Sequence, residues 1–307
     1  MNGAWLIFSS PPATAISISP ARINWAAILI ASRPEEHCRL IAIVDEAASG
    51  LIRTAYTPSV KEYHDFCCAL FDQKGNMLAH STVTTAGFLG IVPAVMGNFL
   101  DSYPIDSFSS GDVLITNDPW LASGHLIDVT VAQPVFINDR VIGFALCIVH
   151  HLDMGGRMAT LESKDMYEEG LKIPILKLFE GGVLNESIFE FIRANIRVPE
   201  KVLGDIRAQL IANHICSRGL INAMDEYEKA LEAFEKALDL NPYVVDTWVN
   251  KGTVMWKAMG DREGALAAFD KALEINPNFM AAVDSRIALE AEIKANRPSF
   301  FKRLFGG

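Results

Sequence analysis

The sequence predicts an α+β protein, with a mixed, hairpin-rich body followed by an all-helical tail. Three observations carry this. Extended apolar segments come in pairs joined by turn sequences instead of alternating one for one with helices, which points to antiparallel pairing. From Ile221 onward Pro and Gly become sparse, and Ala, Glu, Lys and Leu take over. The 307 residues are 50% hydrophobic and 21% charged, a balance that can bury a sizeable core and excludes a disordered chain.

Residues 1–34 read as a poorly ordered leader. No Lys or Arg precedes Arg22, and Pro11, Pro12 and Pro20 interrupt the apolar stretch, so neither a secretory signal nor a membrane span is expected there. Cys38–Tyr56 then reads as a helix, with Leu40, Ile43, Val44, Ala47 and Leu51 on one face. "DFCCALFDQKGNMLAH" (Asp65–His80) reads as a hairpin around a Gln-Lys-Gly-Asn turn. In its first strand one of Cys67 and Cys68 must point inward. Asp112–Asp118 gives a further strand, and Asp128–His151 gives two more around Asn138-Asp139. Leu184–Arg197 and Lys201–Met224 are helical in pattern, which closes a body over residues 35–220.

Residues 221–297 contain a repeat. "YEKALEAFEKALDLNP" (Tyr227–Pro242) returns thirty-five residues later as "REGALAAFDKALEINP" (Arg262–Pro277), with Ala230, Leu231, Phe234, Ala237, Leu238 and Pro242 in register with their counterparts. Each copy carries one apolar stripe and ends at Asn-Pro. A helix between the copies holds Trp248 and Gly252, and another follows from Asn278 to Ala295. The pattern resembles the tetratricopeptide repeat, with an extra residue between Gly252 and Gly260. So short an array either packs on itself or leaves a face, near Trp248 and Trp256, for a peptide or helix partner. Residues 298–307 form a terminal tail.

The formal net charge of −10 argues against nucleic acid and anionic membrane as partners, since both bind through Lys and Arg. The five cysteines are an odd number without a CxxC pair, which fits buried thiols in a reducing cytoplasm.

The chemistry gathers in "GHLIDVT" (Gly124–Thr130) and "VHHLD" (Val149–Asp153). His125 and Asp128 stand three apart, which regular strand alternation would place on opposite faces; Gly124 permits the bend that brings them together. An antiparallel return through the Asn138-Asp139 turn brings His150 alongside. Two imidazoles and one carboxylate suit Mn²⁺, Fe²⁺ or Zn²⁺. His151 should point the other way, and Asp153 could orient a ligand imidazole from behind. Asn117-Asp118-Pro119 could place a polar group near substrate or form an ordinary turn. Gly155 and Gly156 could admit a ligand to the backbone or turn the chain. Arg53 and Lys61 could bind a carboxylate or pair at the surface.

The blocks "RTAYTPSVKEYHDFCCALFDQKGNMLAH", "GDVLITNDPWLASGHLIDVTVAQPVF", "HHLDMGG", "EEGLKIPILKLFEGG" and "NIRVPEKVLGDIRAQLIAN" occur in an order that resembles the hydantoinase B/5-oxoprolinase family over about residues 36–220. The resemblance implies a component of an ATP-dependent, metal-assisted hydrolase opening a cyclic amide such as a hydantoin or 5-oxoproline, or else a subunit of a ketone carboxylase. It implies manganese, held by Glu62, His125, Asp128 and His150. It also implies an A-type partner that handles ATP, in keeping with the lack of a P-loop fingerprint in this sequence. Two departures stand out. The family's glycine-rich element after Asn-Asp-Pro is Trp120-Leu121-Ala122-Ser123-Gly124 here, and repeat-like helices begin where the family's chains run on. The body is therefore expected to be shorter than its relatives, and the competing expectation is a non-catalytic interaction protein whose helices bind a partner.

Overall fold

The computed structural model describes residues 34–157, 162–257 and 261–295. The leader and the terminal tail expected from the sequence lie outside these residues, apart from Pro34. Helix α1 (Pro34–Thr54) and a short α2 (Pro58–Lys61) lead into the hairpin β1 (Phe66–Phe71) and β2 (Met77–His80). Then come α3 (Ala86–Leu89), α4 (Val92–Ser102), β3 (Val113–Thr116), β4 (Asp128–Ile137) and β5 (Arg140–His150). A short α5 (Met166–Glu169), β6 (Leu176–Glu180) and β7 (Val183–Leu184) follow. The remainder is helical: α6 (Glu186–Asn195), α7 (Pro199–Leu240), α8 (Val245–Lys257), α9 (Arg262–Ile275) and α10 (Met280–Ala295).

The seven strands of the described residues form one antiparallel sheet in the order β2-β1-β5-β4-β3-β6-β7. The turns are those the sequence asked for. In the first hairpin the Asp72 carboxylate accepts from the backbone N–H of Lys74 and Asn76, each at 2.8 Å, and Gly75 takes the left-handed conformation. Asn138 and Asp139 both have positive φ, 48° and 60°, the geometry of a tight hairpin whose twist matches its strands.

The sheet is covered on both faces, so both of the paired cysteines are buried. Cys68 packs with Leu40, Val44, Leu51, Cys147, Ala212 and Leu220 beneath α1 and α7. Cys67 packs with Val92, Met96, Phe99, Phe144 and Ile148 on the α4 side. Alternation holds, but there is no outward face for either thiol. A third cluster under the start of α7 joins Ile115, Val129 and Val131 to Ile192, Val202 and Ile206.

Helix α7 runs unbroken for 42 residues across the expected change of texture at 220–221. Ala223 and Met224 belong to the same core as Leu220, so the apolar stripe of the body and the first copy of the repeat share one helix. The helix ends at Asn241, and α9 ends at Asn276, each just before its proline.

The tail builds its own core from Val249, Trp256, Ala265, Phe269, Ala272, Ala282 and Leu289. Gly252 is required there, because a Cβ on it would sit 2.7 Å from Phe269 Cε1. The two tryptophans expected to face a partner are used internally. Trp256 is buried edge-on to Phe269, with its indole N–H donating to Glu292 at 2.9 Å. The Trp248 indole donates to the Pro242 carbonyl at 2.8 Å, and its ring leans on the same core. Self-packing capped by α10 accounts for Trp256, while Trp248 stays partly exposed.

One buried carboxylate ties α7 to the chain entering the sheet. Asp205 accepts from the Tyr56 backbone N–H at 2.6 Å and from the Thr57 hydroxyl at 2.5 Å. Asp205→Ala leaves both donors without an acceptor and is expected to cost about 2 kcal/mol. Urea denaturation should show a lower midpoint at an unchanged slope; an unchanged midpoint would show that water replaces the carboxylate.

Candidate metal centre

The centre lies at one end of the paired strands β4 and β5. Asp128 is the first residue of β4 and His150 the last of β5, and the register places them directly opposite one another. Cross-strand partners share a face, so their side chains meet above the same end of the sheet. His125 arrives from the preceding loop. That loop is wound on Asp118, whose carbonyl accepts from Leu121 and Ala122, and is released at Gly124 with φ +88°. The bend expected of this glycine is present.

His150 Nδ1 lies 2.7 Å from Asp128 Oδ1, and His125 Nδ1 lies 3.6 Å from Asp128 Oδ2. One ligand atom from each of the three residues falls within 4.8 Å of the others, the reach of a single ion. Burial is graded across the set. The Asp128 side chain is 4% exposed, His150 32% and His125 62%, so the cluster is anchored inside and opens on the His125 side. Nitrogen and carboxylate donors of this kind suit a divalent transition metal.

The adjacent histidines are held in opposite states. The hydrogen bond to Asp128 raises His150 above its ordinary value of 6.5, helped by the charges of Asp128 and Asp65 and opposed by partial burial. Burial lowers His151. His151 lies on the opposite face, as alternation predicts, with Nε2 at 3.1 Å from Gln209 Oε1 on α7. Gln209 spends its amide N–H groups on the Val129 and Cys147 carbonyls, so its oxygen faces the ring and His151 donates through Nε2.

Several expected site residues are placed elsewhere. Glu62 is exposed at the C-terminal end of α2 and is not among the clustered ligands. A nearer carboxylate is Asp65, before β1, whose Oδ2 lies 3.8 Å from His150 Nδ1, although it too stands outside the three-residue cluster. Sequence reasoning missed it, although β1–β5 pairing alone would set the residue before Phe66 beside His150. The preceding His64 has φ +53°, a conformation that costs a non-glycine residue about 1 kcal/mol.

Asp153 does not touch an imidazole. It accepts from the Gly155 backbone at 3.0 Å and pairs with the Arg197 guanidinium at 2.5 Å, fastening the loop after β5 to the start of α7. Asn117 is a buried clamp, accepting from Ile173 N–H at 2.6 Å and donating to the Leu171 carbonyl at 2.9 Å. Asp118 shapes its turn and pairs with Lys172 at 2.8 Å. Gly155 and Gly156 are closed off by the protein's own backbone, where added Cβ atoms would stand 2.5 Å from Asn195 O and 2.5 Å from Gly170 N. Arg53 and Lys61 are exposed. Burial raises the thiols of Cys67, Cys147 and Cys216, Cys67 to about 12, while Cys38 is exposed.

A covered antiparallel sheet carrying a histidine–carboxylate cluster at its open end defines an α+β protein with a possible divalent-cation site. Residues 37–262 match the Hydantoinase B/oxoprolinase family, and the chain belongs to that family. The match extends past residue 220, through α8 to the first residue of α9. A 5-oxoprolinase of Pestalotiopsis fici is 31% identical over 199 residues, covering 60% of this chain and 15% of that one. Two solved structures share the fold. The ATP-dependent caprolactamase of Pseudomonas jessenii has a TM-score of 0.54 at 23% identity, over 68% of this chain and 39% of its own. The nucleotide-free acetone carboxylase has a TM-score of 0.55 at 19% identity, over 65% of this chain and 26% of its own. The chain spans 36% or less of the length of the curated relatives it matches. Among the described residues no helix is long and apolar enough to cross a membrane.

A proton and a metal ion compete for His150. Because its folded value is raised, its contribution to metal-free stability is complete below 6.5 and is lost as pH rises through the higher folded value. Divalent-ion affinity should move the opposite way, climbing with pH above 6.5 and levelling once His150 has lost its proton. Calorimetric titration with Mn²⁺ at a series of pH values checks this, and a flat profile would remove His150 from the ligand set.

Proposed function

We propose that this chain is the B-type component of an ATP-dependent enzyme that opens a cyclic amide of the hydantoin or 5-oxoproline type, with His125, Asp128 and His150 holding a divalent ion, manganese by preference. The observation that carries the reading is the convergence of three ligating atoms within 4.8 Å at the end of β4 and β5. Family membership and the likeness to a 5-oxoprolinase support the substrate class. A bound divalent ion supplies Lewis acidity toward a carbonyl oxygen. The protein's part is to hold and orient. Asp128, almost wholly buried, fixes His150 through a 2.7 Å contact, while His125 stands on the solvent side from which a substrate must approach. His151 stays neutral and fastens the strand end to α7.

An A-type partner is the proposed site of ATP chemistry, and the reducing cytoplasm the proposed setting, supported by five cysteines that form no disulfide, four of them buried.

Elemental analysis of the purified chain should find close to one divalent transition metal per chain. His125→Ala should strip that metal while the chain stays folded by circular dichroism, and unchanged metal content in the variant would sink the assignment. The pure chain should not hydrolyse ATP; robust turnover that disappears with the metal would overturn the division of labour with a partner.

A further inference from the structure

We infer that Gln209, on α7, is a positioning residue for the candidate centre: acting through His151, it decides which of two adjacent histidines faces Asp128. The inference rests on the metal-site reading above and adds no ligand to it. Strand β5 ends in His150, with His151 directly after it, and neighbouring side chains on a strand turn to opposite faces. Only one of the two imidazoles can therefore meet Asp128. Apolar packing fixes the register as far as Val149, but Asp128 and His150 form the outermost pair of the β4–β5 ladder, where pairing frays first.

Gln209 settles the choice from the opposite face of the sheet. It is fully buried, and its Nε2 donates to the Val129 carbonyl at 2.8 Å and to the Cys147 carbonyl at 3.0 Å. One carbonyl belongs to β4 and the other to β5, so a single amide spans both strands. With its N–H groups taken, the amide turns Oε1 to His151 Nε2 at 3.1 Å. The other nitrogen of that ring is buried and meets no partner among the described residues, so Gln209 supplies the ring's one hydrogen bond there. The His151 backbone N–H donates to the Ile127 carbonyl at 2.9 Å, which ties the same residue to the segment entering β4. Held inward by these bonds, His151 leaves the outer face to His150. Asn213, one turn further along α7, offers a built-in comparison. Its buried amide donates to the Val131 carbonyl at 2.9 Å, three residues into β4 from Asp128, and touches neither histidine.

The two buried amides provide the test, made on full-length protein by Mn²⁺ calorimetry and the electron paramagnetic resonance spectrum of the bound ion. Gln209→Met keeps the length of the side chain and removes its polar atoms, and Asn213→Leu makes the matching change one turn away. Both variants should melt a few degrees below the wild type. Only Q209M should lose Mn²⁺ affinity, by about tenfold, with an altered spectrum. Wild-type binding in Q209M overturns the inference, and so does an equal loss in N213L, which would trace the effect to stability alone. Either result leaves the three-residue centre standing. Wild-type protein that takes up no Mn²⁺ removes that centre and the inference with it. Should Q209M fail to fold, His151→Ala decides: it removes the ring that Gln209 holds, and wild-type affinity and spectrum in that variant overturn the inference.

Discussion

The pairing of Asp128 with His150 across β4 and β5 is the constraint on which the site depends. Nothing in either short sequence block fixes the distance between them; the hairpin does. The turn at Asn138-Asp139 sets which residues face each other, and a slip of one residue would send every side chain of the strand to the opposite face. Both faces of these strands are packed, so such a slip would drive Val131, Ile148 and Val149 out of their clusters. The apolar interior therefore holds the polar end in register. The same pairing, extended to β1 through Phe66 and Val149, brings Asp65 to the mouth.

The adjacent histidines show how one strand end serves two purposes. His150 meets a carboxylate and a solvent-facing opening; His151, one residue on, meets Gln209 and the interior. Their opposite shifts follow from these surroundings and not from any difference in the residues. His151 joins the strand to α7, and Asp205 joins α7 to the segment before β1. The helix thus braces two of the chain segments that meet at the candidate centre.

Much of this was legible in the sequence because it rests on local rules. The face of α1, the Gly75 and Asn138-Asp139 turns, the bend at Gly124 and the His125–Asp128–His150 grouping all follow from periodicity and turn chemistry. What was not legible depends on non-local packing. Cys67 could not be known to be buried until the α4 side was seen to be covered. Asp153 and Asn117 have the composition of site residues, yet they satisfy distant backbone groups at Arg197 and Ile173. Glu62 was carried by resemblance alone, and it stands exposed at the C-terminal end of α2.

The unbroken course of α7 imposes a rule on how this chain can change. A helix of 42 residues is about 63 Å long, and each residue added to it advances the axis by about 1.5 Å and rotates all that follows by about 100°. A loop between Leu220 and Tyr227 would absorb a single insertion or deletion, but a helix cannot. Cys216 and Leu220 face the sheet core, while Phe234 and Leu238 lie on the stretch that carries α8. Their angular phase is set by the number of residues between them. Length variation within this stretch should be tolerated chiefly in steps that restore the phase, near whole turns, whereas the loops flanking α8 carry no such periodic restriction.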